Sequence, residues 1–429
     1  MNQFTFKYQL DEYLPARQTL IYSLQWFLLS VPYIVILGAL AANHDYANAP
    51  ALQLMYLQKS FWVVGITLFV QVLWGHRLPL VVGPAGVLLS GILANQAAGA
   101  SGAVYFAIAI CGLILAVLSS LKLLRYVSAL FTTRIVGIVL LLIAFVIAPA
   151  VLNMIVGNTD RPFTNLMFAV FMLVALLLGQ RWLPDMLKST IIVWALPLGS
   201  IIYYSLFASN WPEWSQTLPT AGEWNMAAYS FTFDPVVIIS FAFCFLALMA
   251  NDLGSIQSNG ALLEVNDLEQ RTNVGMLITG LGNVLAGCFG VIGPVNYSLS
   301  GGVIITTGCA SRFPLAFTAL AMVAVGFVPA LIGLLSCVPP VVIGSVFLYA
   351  LCPQVAGGLM MLGKSLETDG FDTGIIIGAS LMLGTMVAFL PGPVVAAIPV
   401  IIRPLVTNGF VVGVTIALFL EHIVYKKSQ

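Results

Sequence analysis

The stretch Val82-Gly83-Pro84-Ala85-Gly86 is followed by an apolar run, 87–94, that is too short to cross a bilayer. A second such stretch, Gly293-Pro294-Val295-Asn296-Tyr297-Ser298, precedes the equally short run 299–307. A spanning helix needs about 20 apolar residues. Non-helical backbone is tolerated at membrane depth only where it lines a cavity or is buried in protein. Gly-Pro pairs can also simply end helices. Two such segments at corresponding positions are typical of a transporter with its site between inverted repeats.

The composition is that of a membrane protein. The 429 residues are 60% hydrophobic and 7% charged, with zero formal net charge and a mean hydropathy of +1.02. A balanced charge gives no reason to expect a nucleic acid partner. The pattern predicts an all-α polytopic membrane protein whose direct environment is the lipid bilayer. Its fourteen predicted spans are 18–42, 59–75, 83–97, 103–120, 135–156, 163–179, 189–208, 234–258, 272–292, 298–309, 313–336, 339–361, 373–390 and 404–424.

The order of the spans predicts two inverted repeats of seven helices. The short interrupted segments are the third and tenth spans, which is the same position in each half. An odd number of spans per half inverts the second repeat relative to the first. With both termini in the cytoplasm, thirteen Lys and Arg residues fall on the inner side and three, Lys59, Arg161 and Arg403, fall outside. This asymmetry predicts a multi-pass protein with both termini in the cytoplasm. The expected location is the inner (plasma) membrane.

A polar stripe crosses the eighth span. Asp252 follows the apolar run 241–250, and Asn251, Ser255 and Asn259 recur near it at helical spacing. An ionisable group inside a membrane helix costs about 2.5–3.5 kcal/mol on insertion scales and usually marks a substrate or ion pathway. Polar side chains also hold membrane helices together, so packing is the alternative interpretation.

The sequence offers no enzyme active site, cofactor motif or metal site. The three histidines are scattered, and the six cysteines lie in or beside apolar segments without a Cys-x-x-Cys pair. Residues 358–365 match the phosphate-loop pattern by letter, but they continue an apolar helix, and the motif requires a loop between a strand and a helix. We therefore expect neither a nucleotide nor a metal.

The chain resembles the nucleobase–ascorbate transporter family, the uracil, xanthine and urate permeases, over nearly its whole length. The family pattern of the tenth span places Gly five residues before a Thr, which another small or basic residue follows. Gly302, Thr307 and Gly308 match this pattern, whereas Leu299 and Ser300 replace its first two residues.

Two further family motifs are only half retained. The Gln-His pair of the first span is here Gln25-Trp26, and the Glu-x-x-Gly motif of the eighth span is here Asn251 to Gly254. The chain thus resembles a divergent bacterial branch. Its family carboxylates align with Asn251, which can donate and accept hydrogen bonds but cannot titrate, and with Leu299.

The resemblance implies a two-domain architecture. A core domain would comprise residues 1–126 (spans 1–4) and 234–337 (spans 8–11). A gate domain would comprise residues 127–233 (spans 5–7) and 338–429 (spans 12–14). The expected oligomer is a homodimer.

The resemblance and the interrupted segments together imply a proton symporter for a nucleobase, a purine or a pyrimidine. Asp252, the titratable group left in the polar stripe, is the hypothesised proton-coupling residue, and a purely structural Asp is the alternative. The predicted substrate-binding residues are Asn251, Ser255, Ala85, Gly86, Tyr297, Ser298, Leu299, Ser300 and Tyr33.

Two other functions stay open at this stage. One is a small-anion carrier of the related sulfate-permease fold, because two helix N-termini aimed at one point attract anions. The other is a channel or a non-transporting sensor, because both family carboxylates are replaced.

Overall fold

The computed structural model is helical along most of its described length. It describes residues 6–46, 49–96, 101–124, 132–157, 160–183, 191–207, 231–297, 300–336, 338–399 and 402–425. The strands are β1 (Val82–Pro84) and β2 (Pro294–Asn296). The helices are α1 (Ala16–Asp45), α2 (Pro50–Leu73), α3 (Gly86–Gln96), α4 (Ser101–Ser120), α5 (Thr133–Val156), α6 (Pro162–Trp182), α7 (Ile191–Phe207), α8 (Pro235–Leu262), α9 (Leu268–Phe289), α10 (Ser300–Thr307), α11 (Phe313–Gly326), α12 (Pro329–Ser336), α13 (Pro340–Ala388), α14 (Gly392–Ala397), α15 (Arg403–Val406) and α16 (Gly409–Phe419), which ends in the π-helical turn Leu420–Val424.

The helices confirm an all-α polytopic membrane protein. Within the described ranges, nine helical segments are long and apolar enough to cross a membrane, and four shorter apolar helices accompany them. Each predicted span overlaps at least one helix. Spans 12 and 13 lie within α13, which consists of two helices that meet at a kink at Gly370 (φ 62°, ψ −134°). The exact number of crossings stays a prediction.

One charged side chain, Lys59, lies elsewhere than the sequence indicated. Helix α2 begins at Pro50, so Lys59 lies inside it and is 3% exposed, instead of in an outer loop. Other helices cover most of α2, so its polar side chains are buried against protein and not exposed to lipid. These polar residues lower the mean hydropathy of α2, which is why the sequence pattern places its start too late. Arg271 belongs to the first turn of α9 and donates to Asp267 at 2.6 Å. This hydrogen bond lowers the pKa of Asp267, which lies in the connection before α9.

The helices form two packed groups. One group joins α2 to α11 and α4 to α9, and the other joins α13 to α5, α6 and α16. Helix α4 is the fourth span and α9 the ninth. If the second half repeats the first, α4 corresponds to α11 in the eleventh span, and α9 corresponds to α2 in the second span. The α4–α9 and α2–α11 contacts are therefore equivalent under exchange of the halves, as expected of repeats.

Glycine allows close backbone approach at the contact between α4 and α9. A Cβ atom added to Gly280 would lie 2.6 Å from the backbone nitrogen of Ala116 and 2.7 Å from the carbonyl oxygen of Gly112. Small residues let membrane helices approach in this way. The first group of helices is thus held by direct contact between backbones.

We expect Gly280→Ala to lower thermal stability in detergent, because the new methyl group would meet backbone atoms that cannot rotate away. Overpacking of this kind costs about 1–3 kcal/mol. The matched control is Gly363→Ala in α13, where an added Cβ meets nothing within 4 Å. Equal melting temperatures for the two variants would contradict the close packing of α4 and α9.

Candidate functional site

The two interrupted segments meet as a two-stranded antiparallel pair. Val82 is paired with Asn296, Gly83 with Val295, and Pro84 with Pro294. The pairing continues beyond the strands, since Ala85 N donates to the Gly293 oxygen and Tyr297 N donates to the Val81 oxygen, both at 2.8 Å. Because the strands are antiparallel, α3 and α10, which follow them, leave the pair in opposite directions. Backbone polar groups that would be unpaired in lipid thus satisfy one another.

Gly83 is required where the strands meet. The ring of Tyr297 lies over this residue, and an added Cβ would stand 2.5 Å from the ring. The Tyr297 hydroxyl donates to the Pro84 oxygen at 2.7 Å, so the side chain of one interrupted segment spans the other. Any larger residue at position 83 would displace this ring.

Asp252 on α8 binds the back of β2. Its carboxylate accepts from the Asn296 backbone N–H at 2.9 Å, from Asn296 Nδ2 at 2.7 Å and from Thr279 Oγ1 of α9 at 2.6 Å. Asp252 and Asn296 are both fully buried. Three donors compensate a carboxylate that would otherwise be costly to bury.

The hydrogen bonds continue from Asn296 to the segment before β1. His76 Nε2 lies 3.0 Å from Asn296 Oδ1, and the backbone N–H of Leu78 donates to His76 Nδ1 at 2.9 Å. A ring nitrogen that accepts carries no proton, so Nε2 is the protonated nitrogen and donates to Asn296. Both interrupted segments are therefore fixed by one continuous buried network.

A cavity of about 380 Å³ lies in front of the strand pair. Its size is within the range of about 300–1,000 Å³ that is usual for small-molecule sites. One wall comes from α1, α3, α8 and the strand segments, and the other comes from α5 and α13. The first wall contains Tyr33, Leu37, Pro84, Ala85, Gly86, Val87, Asn251, Val295 and Tyr297, and the second contains Leu140, Ile143, Ile147, Phe347, Ala350, Leu351, Pro353, Gln354 and Gly357.

Three described residues of the first wall have polar side chains, Tyr33, Asn251 and Tyr297, and only the Tyr297 hydroxyl is engaged, by Pro84. The side-chain amide of Asn251 forms no hydrogen bond with any described residue, and the same holds for the Tyr33 hydroxyl. The backbone N–H groups of Gly86 and Val87 open α3, where no preceding carbonyl of the helix can pair with them. These donors and the positive end of the α3 dipole favour an electronegative ligand atom.

Three aromatic side chains give the cavity flat surfaces. Tyr33 and Tyr297 pack edge to face, with ring centroids 5.3 Å apart, and Phe347 lies on the second wall. No Lys, Arg, Asp or Glu lines the cavity among the described residues. The cavity can therefore hold a flat, largely apolar molecule with a polar edge.

The structure brings together five of the nine predicted binding residues: Tyr33, Ala85, Gly86, Asn251 and Tyr297 all line the cavity. Two others do not line it. The Ser255 hydroxyl donates to the backbone oxygen of Asn251 at 2.8 Å within α8. The Ser300 hydroxyl donates to the backbone oxygen of Tyr297 at 2.8 Å and accepts from Val81 N at 3.0 Å. Ser298 and Leu299 lie outside the described residues. The binding role of all nine stays a prediction.

Asp252 does not line the cavity either. It lies one residue after Asn251, about 100° further round the helix, and this rotation directs its carboxylate to α9 and β2. Its geometry is that of a positioning group.

Sequence reasoning missed the second wall. Residues of α5 and α13 form it, and their apolar side chains carry no signal that separates cavity lining from ordinary core. Gln354 is the exception, because an isolated amide within the apolar segment 339–361 is a signal of the same kind as Asp252.

Two interrupted crossings that meet at a cavity between two helical groups define a class of membrane transporters. Comparison with known proteins agrees. The transmembrane domain of the cyanobacterial bicarbonate transporter BicA superposes with a TM-score of 0.62 at 17% identity, covering 89% of this chain and 98% of that domain. Murine Slc26a9, an anion transporter, superposes with a TM-score of 0.59 at 16% identity, covering 96% of this chain and 69% of that protein. At such identities the likeness concerns the fold alone.

Sequence relatives identify the family. Residues 17–392 match the family model of the xanthine/uracil permeases, described as a permease family. PucK, the uric acid permease of Bacillus subtilis, is 23% identical over 88% of this chain and 89% of its own length. YwdJ of the same organism, a candidate purine permease, is 24% identical over 92% and 93%. CPE0397 of Clostridium perfringens, also a candidate purine permease, is 24% identical over 70% of this chain and 66% of its own length, slightly less than two thirds.

The chain belongs to the xanthine/uracil permease family, and it is a multi-pass membrane transporter, not an enzyme. The resemblance deduced from the motifs is thereby confirmed.

We expect Gly86→Phe to abolish substrate uptake while leaving the protein in the membrane. A Cβ at Gly86 would lie 3.5 Å from Ile143 on the opposite wall, which is ordinary contact, so Gly86→Ala should fold. A phenyl ring there would occupy the cavity. Gly378→Phe in α13 is the control, since an added Cβ there meets nothing within 4 Å and Gly378 does not line the cavity. Uptake of a labelled substrate measures the effect, and normal uptake by Gly86→Phe would mean that the site lies elsewhere.

Proposed function

We propose that this protein is a secondary active transporter that carries a nucleobase, a purine or a pyrimidine, across the membrane. The observation that carries the proposal is the cavity wall in which the Asn251 carboxamide, unpaired among the described residues, lies beside aromatic rings and the first backbone N–H groups of α3. The names of its relatives as purine or uric acid permeases support the same substrate class.

The chemistry of the cavity suits an oxo-heterocycle. A carboxamide both donates and accepts, so Asn251 can pair with a ring edge that presents a carbonyl beside an N–H group. The N–H groups of Gly86 and Val87 are donors for a further carbonyl oxygen. The rings of Tyr33, Tyr297 and Phe347 can cover the two faces of a planar molecule.

Transport would follow from relative movement of the two helical groups that form the cavity walls. In this proposal residues 1–126 and 234–337 form the core domain, which carries the interrupted segments. Residues 127–233 and 338–429 form the gate domain, which supplies the second wall. The cavity between them would open to each side of the membrane in turn.

The proposed location is the inner (plasma) membrane, with both termini in the cytoplasm. The excess of Lys and Arg in the inner loops supports this orientation, and removing Lys59 from the outer set strengthens it. We also propose a homodimer, which rests on the family resemblance.

Counterflow in proteoliposomes tests the function. Vesicles loaded with an unlabelled nucleobase should accumulate the labelled compound transiently, with saturable kinetics, whereas a channel would only equilibrate it.

A thermal-shift screen compares two sets of ligands. Xanthine, uric acid, uracil and guanine form one set, and bicarbonate and sulfate form the other. A ligand at 100 times its Kd should raise stability by about 2.7 kcal/mol, so a thermal-shift screen can select the substrate. Stabilisation by the anions alone would favour the small-anion carrier.

Asn251→Ala should weaken nucleobase binding by about tenfold or more. The polar edge of the bound ligand would lose its hydrogen-bond partner, and an unsatisfied buried polar group costs about 1–3 kcal/mol of binding free energy. Expression and melting temperature without ligand should be unchanged, since the Asn251 amide has no hydrogen-bond partner among the described residues. The control is Gln257→Ala, an exposed amide on the same helix. Isothermal titration measures the affinity, and wild-type affinity in Asn251→Ala would remove this residue from the site.

Asp252 is the proposed site of proton coupling, with a structural role as the alternative. Asp252→Asn distinguishes them, because Asn keeps the acceptor for Asn296 and Thr279 can rotate to donate elsewhere, while titration is lost. We expect this variant to bind substrate and to exchange it, but to fail to concentrate it when a pH difference is imposed. Asp252→Ala, which leaves the Asn296 donors unpaired, should instead destabilise the protein by about 1–3 kcal/mol. Concentrative uptake by Asp252→Asn would assign Asp252 a structural role alone.

A further inference from the structure

The second wall of the cavity contains one polar side chain among its described members, Gln354 of α13. Its other residues are aliphatic, aromatic, proline or glycine. Gln354 Nε2 donates to the backbone oxygen of Leu140 on α5 at 3.1 Å. A carbonyl can only accept, so this contact fixes which end of the amide is the nitrogen.

The orientation leaves Gln354 Oε1 as an unused acceptor. No described residue donates to this oxygen, and the side chain is only partly buried where it borders the cavity. The first wall differs in kind, because its free groups at Gly86 and Val87 are donors and its Asn251 amide both donates and accepts. The free polar groups of the first wall thus include backbone donors and an amide of either sense, whereas the second wall offers an acceptor, Gln354 Oε1.

We propose that Gln354 determines substrate specificity by accepting a hydrogen bond from one ring N–H group of the heterocycle. This inference rests on the proposed nucleobase transport and deepens it. The ligand that fits both walls presents carbonyl oxygens to α3 and Asn251 and an N–H group to Gln354. It is a neutral lactam-type heterocycle, in which carbonyl and N–H groups alternate around the ring.

The position of Gln354 also ties substrate binding to both helical groups. Asn251 lies on α8, whereas Gln354 lies on α13 and is bonded to α5. A ligand held by both amides bridges the two walls. A ligand that lacks the N–H group would still bind the first wall but would leave the Gln354 oxygen without a donor, which is the arrangement that discriminates best between similar ligands.

N-methyl analogues test the proposal, because each methyl group removes a single ring N–H. The experiment measures the Kd of xanthine and of its four mono-N-methyl derivatives for the purified wild type, Gln354→Met and Gln180→Met. Methionine keeps the length of the side chain and removes the amide. Gln180 is the matched control, since it accepts from Tyr349 of α13 at 2.8 Å but does not line the cavity. If uracil or uric acid is the ligand that the thermal-shift screen selects, its own N-methyl series replaces that of xanthine.

The expected result is specific to one nitrogen. The wild type and Gln180→Met should bind the parent compound at least tenfold more tightly than one of the derivatives, and in Gln354→Met this preference should fall to within about twofold of unity. Asn251→Ala should retain the same preference at lower overall affinity. Retention of binding to the methylated compound shows that Gln354→Met is folded, and Gln354→Leu repeats the measurement if it is not.

Two outcomes would overturn the inference, and they are distinguishable. If the wild type binds nucleobases and Gln354→Met keeps every N-methyl preference, Gln354 does not read the substrate while the proposed function stands. If the wild type binds no nucleobase of any series, the proposed function fails and this inference fails with it.

Discussion

The structure depends on the pairing of two short extended segments inside the membrane. Neither β1 nor β2 could exist there alone, because each would expose N–H and C=O groups to lipid at several kcal/mol per group. Paired, they satisfy one another from the 81–297 contact to the 85–293 contact. The short helices α3 and α10 follow from this pairing, since the strands have used the length that a full crossing helix would need. The cavity and the N-terminus of α3 exist only because the crossing is interrupted.

The pairing in turn depends on a buried carboxylate. Asp252 and Asn296 form the junction at which α8, α9 and β2 meet, and His76 extends it to the segment before β1. A buried charge is stable only when hydrogen bonds replace the water it has lost. Proton coupling through Asp252 would therefore have to act through geometry: a proton on the carboxylate would remove the charge that strengthens the hydrogen bonds from Asn296 and Thr279, and so alter the strand that borders the substrate. Positioning and coupling are compatible roles for one group placed behind the site.

Sequence reasoning identified the parts of the site that break a pattern. Gly83, Gly86 and Gly293 interrupt apolar runs, and Asn251 and Asp252 are polar within one, so each was visible without a structure. The second wall was not, because Leu140 and Phe347 look like any buried residue, and only the packing of α5 on α13 makes them cavity lining. Lys59 was misplaced for a related reason: hydropathy measures transfer to lipid, whereas α2 is covered by other helices. Local chemistry is legible in a sequence, but which apolar face meets which is decided by the whole fold.

The replaced family carboxylates fit this arrangement. A carboxylate on the substrate-facing side of α8 would offer only acceptors and a charge, whereas Asn251 offers a donor and an acceptor without charge. A site built this way can bind a neutral lactam edge without a bound proton, because nothing that lines the described cavity needs to be neutralised. In the proposed mechanism, binding and proton coupling, which one carboxylate could serve together, would be carried by two adjacent residues about 100° apart on α8. Asn251 lines the cavity, whereas Asp252 binds the strand behind it. The two residues would then be linked through β2, because Asn296 is bonded to Asp252 and its neighbour Val295 lines the cavity.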